Sequence, residues 1–493
     1  MYSIVPPLVP MAYIEPMLKR LLLVIPNNIN QRTGWLLLIV LSSVLLRFPF
    51  NDVPMVNDEG AYAFVASSWT GDYQLYRDIP FDRPQLLFLI FKGILSVFGS
   101  SIEAIRTGAA FFNVLTLLAV FAMTRRMFST GAALASAALF AVASTAPAIE
   151  GFTANAELFA VLPLTLSFHA SWREKWLTAA AWAAVATLIK PIGISGWLLA
   201  AAWLTWRRAG WKPLLMMSLV YATGPALSMF HGALVSWQGY WDSMVSDSLL
   251  SFQGVRQPLE AQFQSFIKGA RNTLPMLALL LPLMLFALRS MSTKQRVFIG
   301  LTILATFAGM SIGGRWYWHY FIQLVPVLAV PAGVGLVACF RSRTGHAIGF
   351  VWLIAVAYFV VSQGPFWLLD GKQVSRELYN RPAYQSNEVV AEFLKWKTQP
   401  DQTIYVAFSQ AELYYLADRR PAVPKQLFWN QVFYNRKVFD EVIRCLRARE
   451  PKYVVYERSS PHWMPKAQFS ELLQQYYRPV QQFEGLVVLE RIE

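Results

Sequence analysis

Long apolar stretches alternate with short polar ones along most of the chain. Residues 107–124, 127–149, 213–230, 297–314 and 347–369 contain no Asp, Glu, Lys or Arg. Uncharged apolar runs of about 18 residues or more read as transmembrane helices, whereas a helix on a soluble core keeps a polar face. The pattern predicts eleven spans, near 34–49, 105–124, 130–148, 152–170, 176–190, 191–206, 213–235, 273–288, 297–312, 318–340 and 347–368. Spans five and six meet at Lys190-Pro191, as one tight hairpin or as a kinked pair. The apolar run 85–92 is too short to span and lies between Pro84 and Gly99-Ser100, which predicts an interfacial helix. No signal-peptide pattern precedes the first span, which is expected to stay in the mature protein. Beyond residue 385 the periodicity becomes mixed. There 387–397 and 435–447 read as helices, and 403–408, 452–456 and 486–490 as strands. The expected fold class is an α-helical polytopic membrane protein with about eleven transmembrane helices, interfacial helices in the first outer loop and a small C-terminal α/β soluble domain. The expected domains are 1–370 and 371–493.

Composition agrees: 55% of the 493 residues are hydrophobic and 15% charged, against about 25% charged in soluble proteins. The placement of the charge adds sidedness. Lys19, Arg20 and Arg32 precede span one, and Arg125-Arg126, Arg173/Lys175, Arg207/Arg208/Lys212, Arg289/Lys294/Arg296 and Arg341/Arg343 follow spans two, four, six, eight and ten. With eleven spans all these loops fall on one side, the cytoplasmic one. The N-terminus is then inside the cytoplasmic membrane and the C-terminal domain outside it. The net charge of +14 belongs to loops facing anionic lipid and implies no nucleic-acid partner. Cys339 at the inner end of span ten and Cys445 in the outer domain cannot pair, so no intramolecular disulfide is expected. The histidines show no metal-ligand spacing, which argues against a zinc site.

Ionisable residues beside or within a membrane are functional candidates, and the predicted outer loops carry the densest set. The first contains Asp58-Glu59, then Leu75-Tyr76-Arg77-Asp78, then Asp82-Arg83-Pro84. Read structurally, Asp58 caps a helix starting near Glu59. Further on come Asn155-Ala156-Glu157, Lys190-Pro191 and the run from Gly313-Gly314-Arg315 through Trp316, Tyr317, Trp318, His319 and Tyr320 to Phe321. Arg315 can also be read as snorkelling beside an aromatic belt, Lys190 as a turn residue and His319 as a satisfied interfacial histidine. The loop 236–272 looks amphipathic around 240–245 and 249–252 and offers Arg256 and Lys268 to a phosphate, as a lid, an acceptor groove or a surface connector.

This set of short motifs resembles the GT-C glycosyltransferases, in the branch of protein O-mannosyltransferases and lipid A aminoarabinose transferases. Arg83 stands where relatives often have Lys and keeps the positive charge with a bidentate fork; Gln85 replaces a second proline. The resemblance implies transfer of a sugar from a polyprenyl-phosphate donor to a lipid, glycan or protein acceptor at the outer face, with inversion. It implies Asp58 as first candidate for the base and Glu59 as second, and Glu157 as orienting the acceptor or holding a divalent cation (Mg or Mn) with Asp58. Arg83, Lys190, Arg315 and His319, with Tyr320 beside them, are the candidate phosphate-binding residues. A transporter or flippase of polyprenyl-linked glycans is the alternative, though the chain shows no inverted hydropathy repeat.

Overall fold

The computed structural model describes residues 29–246, 249, 259–312, 314–340, 343–407, 410–424, 427, 436–448, 450–458 and 466–492. Each of the eleven predicted spans contains a helix: α1 (Ile29–Leu45), α4 (Ile102–Met127), α5 (Thr130–Ala143), α6 (Ala156–Trp172), α7 (Trp176–Ile189), α8 (Ile194–Trp206), α9 (Trp211–Trp241), α11 (Leu274–Ala287), α12 (Thr293–Ser311), α13 (Leu324–Cys339) and α14 (Arg343–Gln363). Five helical stretches among the described residues are individually long and apolar enough to cross a bilayer: Asn30–Phe50, Ile102–Met127, Trp211–Ser246, Trp318–Cys339 and Thr344–Leu368. The remaining helices of the bundle are shorter. α7 and α8 form the tight hairpin: a Cβ on Gly193 would fall 2.1 Å from the Thr187 backbone nitrogen, and one on Gly196 2.9 Å from the Ala183 Cβ. The sum of the facing residue numbers stays near constant, as it must between antiparallel neighbours. α13 lies at the centre of the bundle with most of its side chains buried, as expected of a helix apolar all round.

Two helices between α1 and α4 build the first large loop. α2 (Asn57–Ser68) is almost wholly buried, and α3 (Gln85–Phe98) is the amphipathic helix expected there. α3 buries Leu87, Phe88 and Phe91 while Leu89, Val97 and Phe98 stay exposed, the apolar surface of a helix lying on a membrane. The Leu75–Asp78 motif builds the loop between them. Asp78 accepts from the Gln74 backbone N–H (2.7 Å) and from Arg77 Nε (2.9 Å), and the Tyr76 hydroxyl donates to the Arg83 carbonyl (2.9 Å). In the loop 236–272 the chain reverses at Ser236, and the amphipathic helix is α10 (Leu259–Asn272), set at 80° to α11. The segment expected around 249–252 and Arg256 lie outside the described residues apart from Leu249.

The C-terminal domain holds α15 (Gly371–Tyr379), α16 (Pro382–Lys397), α17 (Glu412–Ala417), α18 (Arg436–Arg447) and α19 (Lys466–Tyr476). Its sheet runs β1 (Ile404–Val406), β2 (Tyr453–Glu457), β4 (Leu486–Arg491), β3 (Tyr477–Gln482), with β1 and β2 parallel and the other pairs antiparallel. The three predicted strands are β1, β2 and β4. β3 is an edge strand whose Pro479 and polar outer positions hide it from a reading of apolar alternation. Cys339 and Cys445 are buried and free.

The domain grips α2. A Cβ on Gly60 would sit 2.2 Å from the Glu412 Cβ, so the backbones of α2 and α17 touch. The Ala411 N–H donates to Asn57 Oδ1 at 3.0 Å, next to Asp58 in sequence.

Candidate active site

The acidic pair divides its labour. α2 starts at Asn57, two residues earlier than expected, so Asp58 is inside the helix and caps nothing. Glu59 does the capping: its carboxylate accepts from the Val56 N–H (3.4 Å) and the Ala154 N–H (2.7 Å). It also pairs with Arg106 from α4, at 3.0 Å and 3.3 Å. Arg106 in turn donates to the carbonyls of Phe50 (2.7 Å), Asn51 (3.2 Å), Val53 (2.5 Å) and Pro54 (3.4 Å). Both side chains are within 1% of full burial. Every hydrogen-bonding direction is used, and the result is a clamp joining the end of α1, α2, α4 and the α5–α6 turn.

Successive residues on a helix point about 100° apart, so Asp58 faces elsewhere. It lines a cavity of about 480 Å³ together with Arg83, Lys190, Arg315, His319 and Tyr320. The five site residues of the set other than Asp58 come from the loop before α3, the α7–α8 turn and the segment before α13. The cavity also holds Asn57, Asp82, Glu150, Asn155, Lys268, Tyr379 and Tyr384. Burial pushes the Asp58 carboxyl above its ordinary value, against the pull of His319 and Arg83. The Tyr62 hydroxyl lies 3.5 Å from Asp58 Oδ2. Arg83 pairs with Asp82 at 2.8 Å, and its Nε is buried without a partner among the described residues. Glu157, just inside α6, is 1% exposed and bonds the Lys190 ammonium, which also sits 4.5 Å from the centre of the Tyr320 ring. His319 donates through Nδ1–H to Glu150 Oε2 (2.9 Å), and its Nε2 is 3.9 Å from Glu157.

Asp58 and Glu157 are poor partners for a shared divalent cation. Glu157 is already satisfied on one oxygen by Lys190, cations surround both carboxylates, and among the described residues no three His, Cys, Asp or Glu side chains gather as metal ligands. Glu150, Tyr379 and Tyr384 are cavity residues outside the motifs singled out in the sequence, and Asn155, quoted there beside Glu157 without a role, also lines the cavity. Glu150 carried a signal, being an acidic residue in the short turn 150–155 on the same predicted side as Asp58. The tyrosines carried none, because their place in the cavity depends on how the C-terminal domain docks.

A helical bundle with an amphipathic helix in its first large loop, a polar cavity at one end and a small α/β domain docked there has the GT-C fold. In sequence, residues 82–237 match the family model described as dolichyl-phosphate-mannose-protein mannosyltransferase, a segment that includes Arg83, Glu157 and Lys190. In structure, ArnT from Cupriavidus metallidurans, crystallised bound to undecaprenyl phosphate, superposes with a TM-score of 0.63 at 16% identity over 93% of this chain and 98% of that one. The oligosaccharyltransferase of Archaeoglobus fulgidus in its apo form gives 0.52 at 15% identity over 86% of this chain and 69% of that one. The same enzyme tethered to an acceptor peptide gives 0.52 at 14% identity, over 91% and 72%. No curated protein matches the chain in sequence.

Proposed function

We propose that the protein is an inverting glycosyltransferase that moves a sugar from a polyprenyl-phosphate donor to a hydroxyl acceptor at the outer face of the cytoplasmic membrane. The observation that carries this reading is the cavity itself: the Asp58 carboxylate lines it together with Arg83, Lys190 and Arg315, at the end of the bundle where α3 offers apolar surface to lipid. The acceptor oxygen attacks the anomeric carbon and the bond from that carbon to the phosphate oxygen breaks. The electron pair leaves on the phosphate, and Asp58 takes the acceptor's proton. A single displacement inverts the anomeric carbon. The fixed cations stabilise the charge building on the phosphate. Glu157 holds Lys190 in place and tethers His319. Lys268, exposed on α10, extends the cationic side toward the solvent.

The donor's lipid and the sidedness of the basic loops support the cytoplasmic membrane as the site. At the opposite end of the bundle Arg207 and Lys294 meet Glu174 at 2.8 Å and 3.4 Å, joining three of the loops assigned to the inside. The test is reconstitution with undecaprenyl-phosphate-linked sugars and an assay for released undecaprenyl phosphate. Release that depends on an acceptor and on Asp58 supports the reading. Transbilayer movement of an intact labelled donor with no release overturns it in favour of a flippase.

A further inference from the structure

One wall of the cavity has polar atoms that no described residue satisfies. Asn155, 3% exposed, donates through Nδ2 to Thr153 Oγ1 (2.7 Å) and Glu150 Oε2 (3.3 Å), yet its Oδ1 is buried without a partner among the described residues. The Tyr379 hydroxyl is likewise buried and unpaired, its ring edge-on to Trp318 at 6.3 Å and to Tyr384 at 5.4 Å. Beneath them Glu157 gives one oxygen to Lys190 and leaves Oε2 buried and unpaired. Buried polar atoms in native proteins are nearly always hydrogen-bonded, and leaving one unpaired is costly. Asn155 and Tyr379 line the cavity, Glu157 adjoins its lining residues Lys190 and His319, and together their open atoms describe the complement of a ligand.

The ligand's chemistry follows from the set. Asn155 Oδ1 and Glu157 Oε2 only accept, and the Tyr379 hydroxyl accepts or donates. Neighbouring hydroxyls on a sugar ring do both. Tyr379 and Tyr384 add aromatic surface for the ring's C–H face. The carboxylates of Glu150 and Glu157 lie on the same side, so a sugar carrying its own carboxylate meets repulsion.

Building on the transferase reading, we infer that Tyr379, Asn155 and Glu157 form the subsite for the donated sugar, that it selects a hydroxylated ring without a carboxylate, and that the C-terminal domain supplies its specificity through Tyr379. The subsite lies beside the cations that take the phosphate, so lipid phosphate and sugar are read by different parts of the chain.

The full-length protein in detergent is titrated with undecaprenyl phosphate and with undecaprenyl phosphate carrying a neutral hexose, a neutral pentose or a hexuronic acid. At least one neutral sugar strengthens binding over the bare lipid by about tenfold or more, and the hexuronic acid adds nothing. Tyr379→Phe, which keeps ring and packing, removes about tenfold of that gain, the worth of roughly one hydrogen bond to a buried group, and leaves the bare lipid bound as before. Asn155→Ala does the same if it folds, and Tyr379→Phe decides if it does not. An undiminished gain in Tyr379→Phe, or a hexuronic acid that binds as tightly as the neutral sugars, overturns the inference while leaving the transferase reading intact. Failure of the unmodified protein to bind any of the four lipids overturns both.

Discussion

Two groups of charged side chains start from adjacent residues of one helix and are built in opposite ways. Around Glu59 the central pair is closed on itself: Arg106 meets both carboxylate oxygens and four backbone carbonyls, with the Arg47 guanidinium buried beside them. Around Asp58 the charges face a cavity, three of the cations come from separate segments, and Arg83, Asn155, Glu157 and Tyr379 keep buried polar atoms unpaired. Burial alone does not mark a functional charge. A satisfied buried pair fixes geometry, and an unsatisfied buried cluster awaits a ligand. The first group holds α2 in place so that the second can work.

The largest effect in the closed group is expected from Arg106→Ala. It strands the Glu59 carboxylate and four carbonyls, and a loss of about 3–5 kcal/mol should appear as a collapse of thermal stability in detergent. The open group should behave conversely. Arg83→Ala is expected to slow release of undecaprenyl phosphate by about 10²–10³-fold with little change in melting temperature, and Arg83→Lys to recover part of it because the charge returns without the fork. Equal destabilisation by Arg106→Ala and Arg83→Ala would erase the distinction between the groups.

Gly60→Ala probes the contact between the domain and the base. The added methyl meets the Glu412 backbone, and overpacking of this kind costs about 1–3 kcal/mol. The shift reaches Asp58 two residues away, so turnover should fall further than donor affinity. A smaller effect concerns Glu412 itself, which is buried on α17 and pushed up to about 8 by desolvation. Its folded-state value is above the unfolded one, so its contribution to stability is complete below the ordinary glutamate range and is lost as pH rises through about 8. The melting temperature should decline over that window, and Glu412→Gln should flatten the decline. The least effect is expected from chelation: with the carboxylates already facing cations, stripping divalent ions should leave turnover unchanged.

Much of this organisation was legible in the sequence. Apolar runs marked all eleven helices because lipid and bundle interior both exclude unpaired charge, and Asp58, Arg83, Lys190, Arg315, His319 and Tyr320, grouped by their predicted outer side and by the resemblance, line one cavity. The separation of Asp58 from Glu59 was not legible. Adjacent acids look alike until the helix start fixes which face each takes, and the partner that claims Glu59 lies 47 residues away on α4. Glu157 is not itself a lining residue of the cavity; it bonds Lys190, which is. Tyr379 stayed hidden because its place in the cavity arises from domain docking, which leaves no local pattern.

The pH dependence of turnover adds a further check on the open group. Burial raises the Asp58 carboxyl, and a base works only when deprotonated, so the acid limb of the rate profile should lie above the ordinary carboxylate range of about 4.

The most direct test compares Asp58→Asn with Glu59→Gln in the same reconstituted system, measuring undecaprenyl phosphate release and thermal unfolding for each. Asp58→Asn is predicted to lose about 10²–10⁴-fold in turnover with its melting temperature kept. Glu59→Gln is predicted to unfold at lower temperature while each folded molecule keeps its turnover. Undiminished release by Asp58→Asn would contradict the account.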